Sequence, residues 1–191
     1  MLTEPIQVTL LVADAFESLG IRYFIGGSMA TAVHGVARAT MDVDLVVDLS
    51  EKDVPALLSA LGDDFFVDEQ MIFGALQAGI SFNMIHKATM FKVDIFPLKK
   101  RPFDLSQLER RVAYELASEP SRKAYIASPE DNILSKLEWY RLGGEISDRQ
   151  WTDVLNVLKI QGSDIDIAYL RKWAEKLDLL DLLERALNDI R

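Results

Sequence analysis

The spacing of apolar residues predicts alternating helices and strands in the first half of the chain. Apolar positions between residues 8 and 19 recur at helical spacing, with Thr3 as the predicted cap and Gly20 as the stop. An apolar strand is predicted at 22–25, and the glycines after it begin a second helix. Residues 42–49 are rich in β-branched side chains and predict another strand, which an amphipathic helix follows. The order is that of successive α/β steps.

Two further strands and a change of composition mark the second half. The apolar segments 80–85 and 91–96 are joined by a polar turn, which predicts neighbouring strands in a mixed sheet. After Pro97 a polar segment and two short strands lead into a series of helical patterns. We therefore predict an α+β fold, in which residues 1–103 form a mixed β-sheet flanked by helices and residues 104–191 form a mostly helical C-terminal subdomain.

Composition and charge limit the classes of protein. The 191-residue chain is 49% hydrophobic and 27% charged, which is typical of an ordinary globular protein. It contains no cysteine, so a disulfide scaffold, a thiolate metal site and a cysteine nucleophile are excluded. The formal net charge of −9 argues against broad, non-specific binding to nucleic acid, which depends on basic residues.

No segment of the sequence is typical of a membrane or secreted protein. The apolar runs are shorter than the roughly 20 residues that span a bilayer, and the first residues lack a basic signal region. A soluble, cytoplasmic and unprocessed protein is expected, with no membrane partner.

Gly26-Gly27-Ser28 is a candidate phosphate-binding segment. Glycine lets the backbone approach a phosphate closely, and the start of the following helix directs N–H groups and a partial positive charge at an anion. Ser28 adds a hydroxyl donor. An ordinary strand-to-helix turn would explain the same residues without a ligand.

His34 and Arg38 lie at the end of this second helix and just after it. Arg38 is a candidate nucleotide contact. His34 is expected at the helix surface, on the face opposite Val33 and Val36, where a structural role is the simpler interpretation.

Three aspartates are the candidate metal ligands. Asp42 and Asp44 are two residues apart on a strand, so their side chains project from one face while Val43 points to the core. Asp94 lies in an apolar strand and alternates with Val93 and its other apolar neighbours, so it can meet the pair across adjacent strands. A divalent cation would relieve the repulsion between these charges. The alternative for the first two is a solvated strand start.

These residues resemble the nucleotidyltransferase superfamily related to DNA polymerase β, including minimal and toxin-type bacterial members. The resemblance rests on the Gly-Gly-Ser segment, the Asp-x-Asp strand and the later aspartate, in that order over about residues 22–97. It implies that Asp42, Asp44 and Asp94 are catalytic and bind Mg²⁺ or Mn²⁺ together with a nucleoside triphosphate, ATP among them.

The same resemblance implies roles for individual residues. Asp94 would act as the base or metal-activating group, and Asp42 and Asp44 would bind the metals and the nucleotide. Gly26, Gly27 and Ser28 would belong to the nucleotide site, the last two near the β- and γ-phosphates.

A second motif lies in the helical tail. Residues 136–141 followed by 151–155 resemble helical motifs of toxin-type bacterial nucleotidyltransferases. By that resemblance Lys136 would reach the phosphates and Asp153 would orient it. Two alternatives stay open: Lys136 belongs to a polar helix face, or Asp153 pairs with Arg149 one turn away.

The sequence thus indicates a metal-dependent enzyme that transfers a nucleoside monophosphate from a triphosphate to a hydroxyl acceptor. The acceptor could be a protein side chain, an RNA end or a small hydroxylated molecule such as an aminoglycoside. A second hypothesis is an inactive nucleotide-binding or regulatory protein of the same fold, with an antitoxin-type partner in a two-component pair. A third is an interaction domain whose carboxylates are solvated.

Overall fold

The computed structural model describes residues 4–37, 40, 42–118 and 120–190. Thr3, the predicted cap of the first helix, lies outside them, as does Arg38. The described helices are α1 Glu4–Ser18, α2 Gly27–His34, α3 Val54–Leu61, α4 Glu69–Ala78, α5 Pro102–Arg110, α6 Pro129–Leu142, α7 Asp148–Gln161, α8 Ile167–Lys176 and α9 Leu180–Asp189. The described strands are β1 Tyr23–Ile25, β2 Asp42–Val47, β3 Phe65–Phe66, β4 Phe82–His86, β5 Lys92–Pro97, β6 Val112–Ser118 and β7 Ser121–Ile126.

The strands form one mixed sheet, as predicted. Within the described residues it has seven strands in the order β3-β4-β5-β2-β1-β7-β6. β2 pairs with β5 and β1 pairs with β7 in parallel, whereas the remaining neighbours are antiparallel. The predicted α+β class with a mixed sheet is therefore confirmed.

Alternation along the two central parallel strands decides which side chains reach the core. Val43, Leu45 and Val47 of β2 are fully buried, and the residues between them are half-buried. β5 repeats the pattern with Val93 and Ile95 in the core. Because successive side chains of a strand point to opposite faces, one face of this pair is apolar and the other carries the polar residues.

The described residues pack into two units. The first comprises those of Met1–Gly26 and Thr40–Ile126, and it contains the whole sheet with α1, α3, α4 and α5. The second comprises those of Gly27–Ala39 and Ala127–Arg191, and it contains α2 and α6 to α9. The predicted helical character of the C-terminal part is confirmed, while the boundary predicted at 103/104 lies within α5, inside the first unit.

The polar segment expected after Pro102 is in fact the helix α5. Pro102 stands in its first turn, where proline is compatible with a helix because no intrahelical N–H is needed. The Asp104 carboxylate accepts hydrogen bonds from the Arg101 backbone N–H and side chain, at 3.2 and 2.8–2.9 Å. Phe103 and Leu108 are buried, so the helix packs through an apolar stripe that the charged residues around it obscure in the sequence.

Two helices of the second unit begin at serine caps. The Ser128 hydroxyl accepts a hydrogen bond from the Asp131 N–H, and the Ser147 hydroxyl accepts one from the Gln150 N–H. These caps begin α6 and α7. None of the described helices combines the length and the apolar character needed to cross a bilayer.

The sheet core gives a first test. Leu45→Ala should lower the free energy of unfolding by about 2–5 kcal/mol, because Leu45 is fully buried and the truncation leaves a cavity. Val46→Ala, on the opposite and half-buried face of the same strand, should cost about 1 kcal/mol or less. Urea unfolding of both variants measures the difference, and equal losses would contradict the assignment of the two faces.

Candidate active site

The three candidate aspartates lie on adjacent parallel strands of the first unit. Asp44 of β2 and Asp94 of β5 are register partners, and Asp42 is one pleat before Asp44 on the same face. All three are half-buried, and each alternates with a buried apolar residue. The Thr40 hydroxyl donates to Asp42 Oδ1 at 3.0 Å. The fold therefore gathers three carboxylates on one face of the central strands.

Lys92 lies among these carboxylates. It is the register partner of Asp42 and precedes Asp94 by two residues, so its side chain shares their face. Its Nζ is 2.7 Å from Asp94 Oδ2. The pKa of Lys92 is raised chiefly by this hydrogen bond, with desolvation opposing it and the charges of Asp94, Asp42 and Asp44 adding to it.

The donor chemistry fits a divalent cation, but the side chains are not gathered around one point. Carboxylate oxygens are the ligands that Mg²⁺ and Mn²⁺ prefer. Across the part of the chain that the structure describes, however, no group of three or more acidic, histidine or cysteine side chains is arranged to hold a metal. The Lys92 ammonium, a positive charge, bonds one oxygen of the carboxylate that the site would need.

Gly26, the first residue of the glycine segment, is hydrogen-bonded to the backbone of the strand that bears Asp42 and Asp44. Gly26 ends β1, and its N–H donates to the Asp44 carbonyl at 2.9 Å. A side chain at Gly26 would meet no atom within 4 Å, so the space beside its backbone is open. Gly27 begins α2 with a φ of +54°, a left-handed conformation that favours glycine.

The remaining candidate nucleotide contacts belong to the second unit or lie outside the described residues. Ser28 is half-buried in the first turn of α2, and Arg149 Nη2 lies 3.4 Å from its hydroxyl oxygen. Arg38 is outside the residues that the structure describes. Their assignment to a nucleotide stays a prediction.

Lys136 and Asp153 form a buried ion pair between α6 and α7. Lys136 Nζ donates to Asp153 Oδ2 at 2.8 Å, and the two side chains are only 10% and 5% exposed. The alternative that Lys136 belongs to a polar helix face is therefore wrong, because this side chain is enclosed. The pairing is compatible with Asp153 orienting the lysine, whereas contact between Lys136 and a phosphate stays a prediction.

His34 is buried, contrary to the expectation of a surface position. Its Nε2 lies 2.7 Å from the Ala127 carbonyl oxygen, and Gln161 Nε2 donates to the His34 carbonyl at 2.7 Å. Val36, expected on the packed face, is instead exposed. The helix is short and packs within a unit whose described elements are all helices, so its apolar spacing alone did not identify the buried face.

A hydrogen-bonded chain runs beside His34 in the same unit. Asn132 Nδ2 donates to the Thr31 hydroxyl at 3.0 Å, and that hydroxyl donates to the Gly27 carbonyl at 3.0 Å. Thr31 and Asn132 are both buried. Asn132 of α6, about 100 positions later in the chain, thereby stabilises the first turn of α2.

Comparison with solved structures identifies the fold. The chain is similar to the antibiotic-resistance factor ANT(2'')-Ia, with a TM-score of 0.58 and 12% identity over 97% of this chain and 99% of that one. It is similar to an antigenic nucleotidyltransferase-like protein from Paracoccidioides brasiliensis, with a TM-score of 0.57 and 19% identity over 98% and 94%. It is also similar to the lincosamide antibiotic adenylyltransferase LnuA, with a TM-score of 0.51 and 17% identity over 83% and 98%.

The chain has a nucleotidyltransferase fold. The resemblance predicted from the glycine-serine segment and the aspartates is therefore confirmed by structural neighbours that extend over most of the chain. No family model and no curated protein matches the sequence. At identities of 12–19%, the similarity to these structures is one of fold rather than of overall sequence.

The buried ion pair gives a second test. Lys136→Met should lower the free energy of unfolding by about 3–5 kcal/mol, because it leaves the enclosed Asp153 charge without the ammonium. Lys136→Met combined with Asp153→Leu should cost less than the single change. Arg141→Met is the control on the same helix; its more exposed pair with Asp181 should contribute about 0–1 kcal/mol. Urea unfolding measures all three, and equal losses for Lys136→Met and Arg141→Met would contradict the enclosed pair.

His34 gives a test in pH. Burial lowers the pKa of His34 below its ordinary value of 6.5, against the opposing effect of the Ala127 carbonyl. Between the lowered pKa and about 6.5 the unfolded chain binds more protons than the native state, so stability falls as the pH falls through this window. When the pH is lowered from about 7.5 to about 5, the free energy of unfolding of wild type should fall by more than that of His34→Gln. Equal losses in urea unfolding at the two pH values would refute the lowered pKa.

Proposed function

We propose that the protein is a metal-dependent nucleotidyltransferase that moves a nucleoside monophosphate from a nucleoside triphosphate to a hydroxyl acceptor. The observation that carries the proposal is the placement of Asp42, Asp44 and Asp94 on one face of β2 and β5, inside a nucleotidyltransferase fold. An aspartate next to core residues on both sides has a desolvation cost that an ordinary surface carboxylate avoids. A cation and a triphosphate explain why three of them occupy this face.

The reaction follows from the charges on this face. Asp42 and Asp44 would hold Mg²⁺ or Mn²⁺, with Asp94 completing the set. The bound cation would supply charge neutralisation for the triphosphate and for the departing pyrophosphate. The acceptor oxygen forms a bond to the α-phosphorus, the bond from that phosphorus to the β-bridging oxygen breaks, and Asp94 receives the hydroxyl proton.

The glycine segment would position the triphosphate. The Gly26 N–H is bonded to the carbonyl of Asp44, so the backbone at the end of β1 is fixed against the strand that bears two of the carboxylates. In this assignment Gly27 and Ser28 contribute the N–H groups and hydroxyl that contact the phosphates. Lys136, oriented by Asp153, and Arg38 remain proposed contacts on the strength of the sequence resemblance.

A small hydroxylated molecule is the acceptor class that we favour. Two structural neighbours are an antibiotic-resistance factor and a lincosamide adenylyltransferase, and both align with most of this chain. The net charge of −9 disfavours an extended RNA acceptor. A protein acceptor, and with it a toxin-type role with an antitoxin partner, is supported by the motif resemblance alone.

A second candidate is a nucleotide-binding protein of this fold without turnover. The observation in its favour is the Lys92–Asp94 ion pair, in which a carboxylate required for catalysis is already bonded to a cationic side chain. This protein would still gain stability from a triphosphate and Mg²⁺, since a ligand of the native state raises apparent stability by mass action.

Label transfer tests the proposed activity. With an α-phosphate-labelled triphosphate, Mg²⁺ or Mn²⁺ and pools of hydroxylated small molecules, RNA and protein, wild type should label one acceptor class. Asp44→Asn and Asp94→Asn should each reduce transfer by at least about 10²-fold, the upper loss typical of residues that only support a metal ligand. Asp48→Asn is the control, because Asp48 follows the same strand but pairs with Arg22.

The outcomes separate the candidates. Transfer that is lost in the two variants and kept in the control supports the enzyme. A thermal shift with triphosphate and Mg²⁺, without transfer to any pool, supports the binding protein. Transfer that survives Asp94→Asn would show that the carboxylate cluster is not the active site.

A further inference from the structure

Lys92 lies on the carboxylate face, and the proposed chemistry gives it no role. It stands on β5 two residues before Asp94 and opposite Asp42, and its ammonium is 2.7 Å from Asp94 Oδ2. The lysine side chain is 44% exposed and the aspartate 18% exposed. The ammonium thus contacts the site, and nearly half of the lysine side chain is exposed to solvent.

The location of the ammonium distinguishes it from an ordinary surface ion pair. Its pKa is raised first by the hydrogen bond to Asp94, and the charges of Asp42 and Asp44 act on it in the same direction as that of Asp94. All three candidate metal ligands therefore contribute to the field at one cationic group. A half-exposed pair of this kind contributes little to stability, so stability alone is a weak reason for placing a lysine there.

The ammonium and a divalent cation require the same carboxylate. A cation held by Asp42, Asp44 and Asp94 needs oxygens that converge on it, yet one Asp94 oxygen is bonded to Lys92. A lysine side chain ends in a compact charge on a flexible four-carbon stem, so it can leave the carboxylate without any change in the strand.

We propose that Lys92 is a built-in competitor of the metal, which pairs with Asp94 in the metal-free protein and withdraws when a divalent cation binds. The inference rests on the proposed function, because it assumes that the three aspartates are the metal ligands. It assigns Lys92 a positioning role: the residue neutralises the carboxylate face without metal and thereby sets the metal concentration at which the site fills.

The expected direction of the change in metal affinity on removal of Lys92 follows from charge. Without Lys92 the cation would not have to displace an ammonium from Asp94, and the repulsion between the two positive groups in the bound state would disappear. At separations of a few ångströms and an effective dielectric near that of water, this repulsion corresponds to roughly a tenfold change in affinity. Lys92→Met keeps the length and the apolar stem and removes only the charge.

Binding of Mn²⁺ to the protein without nucleotide measures the competition directly. Electron paramagnetic resonance of unbound Mn²⁺, or calorimetry, should show binding about tenfold tighter for Lys92→Met than for wild type. Lys99→Met is the matched control, since Lys99 is an exposed lysine in the segment after β5 and the net charge changes equally. Its affinity for Mn²⁺ should stay within about twofold of wild type.

Two further variants make the result specific. Lys92→Gln should tighten Mn²⁺ binding in the same direction, which guards against a packing defect particular to methionine. Adding Asp94→Asn to Lys92→Met should remove the gain in Mn²⁺ affinity, because the carboxylate for which the ammonium and the metal compete is then gone.

The melting temperature of metal-free Lys92→Met should be lower than that of wild type and should recover with saturating Mn²⁺. A purely structural lysine would change the melting temperature and leave the affinity as it was.

The outcomes distinguish this inference from the proposed function. Equal or weaker Mn²⁺ binding by Lys92→Met and Lys92→Gln, with Asp94→Asn still abolishing binding, would overturn the competitor role and leave the metal site standing. No Mn²⁺ binding by any variant, with or without a triphosphate, would overturn both proposals. Tighter binding that depends on Asp94 supports the competitor.

Discussion

The in-register parallel pairing of β2 with β5 is the constraint on which the candidate site depends. It aligns Asp44 with Asp94 and Asp42 with Lys92, and a shift of one residue would turn one strand's polar side chains into the core. The register is fixed by the apolar face, where Val43, Leu45 and their counterparts on β5 are fully buried. The hydrophobic core thus determines the geometry of the charged face.

Sequence alternation was sufficient to predict the faces of these strands, because it reflects a local property with a period of two residues. The role of Lys92 could not be predicted in the same way. Alternation puts Lys92 on the face of Asp94, but the second neighbour of Lys92, Asp42, is 50 positions earlier, and only the strand pairing brings these two residues opposite each other. The competition between an ammonium and a metal is therefore a property of register rather than of sequence spacing.

The sequence also did not reveal the helix α5 or the burial of His34. The helix α5 begins with a proline and is rich in charged residues, and the apolar residues that it buries are Phe103 and Leu108. His34 is buried, and its hydrogen-bond partner is the Ala127 carbonyl, 93 positions later. In contrast, the serine caps of α6 and α7 were predictable, since a cap and its N–H partner are three residues apart.

The interleaving of the two units has a consequence for experiments on parts of the protein. The chain leaves the sheet-containing unit after Gly26, returns at Thr40 and leaves again after Ile126. No single cut therefore separates the units: a fragment ending at Ile126 retains α2 but lacks Asn132 and Ala127, its hydrogen-bonding partners. After a cut near residue 126, the N-terminal fragment would hold all of the first unit, but the second unit would be complete only when the two fragments reassociate. A chain stalled or cleaved there would expose the side of α2 that is otherwise buried. Proteolytic susceptibility of the unfinished chain is thus built into its connectivity.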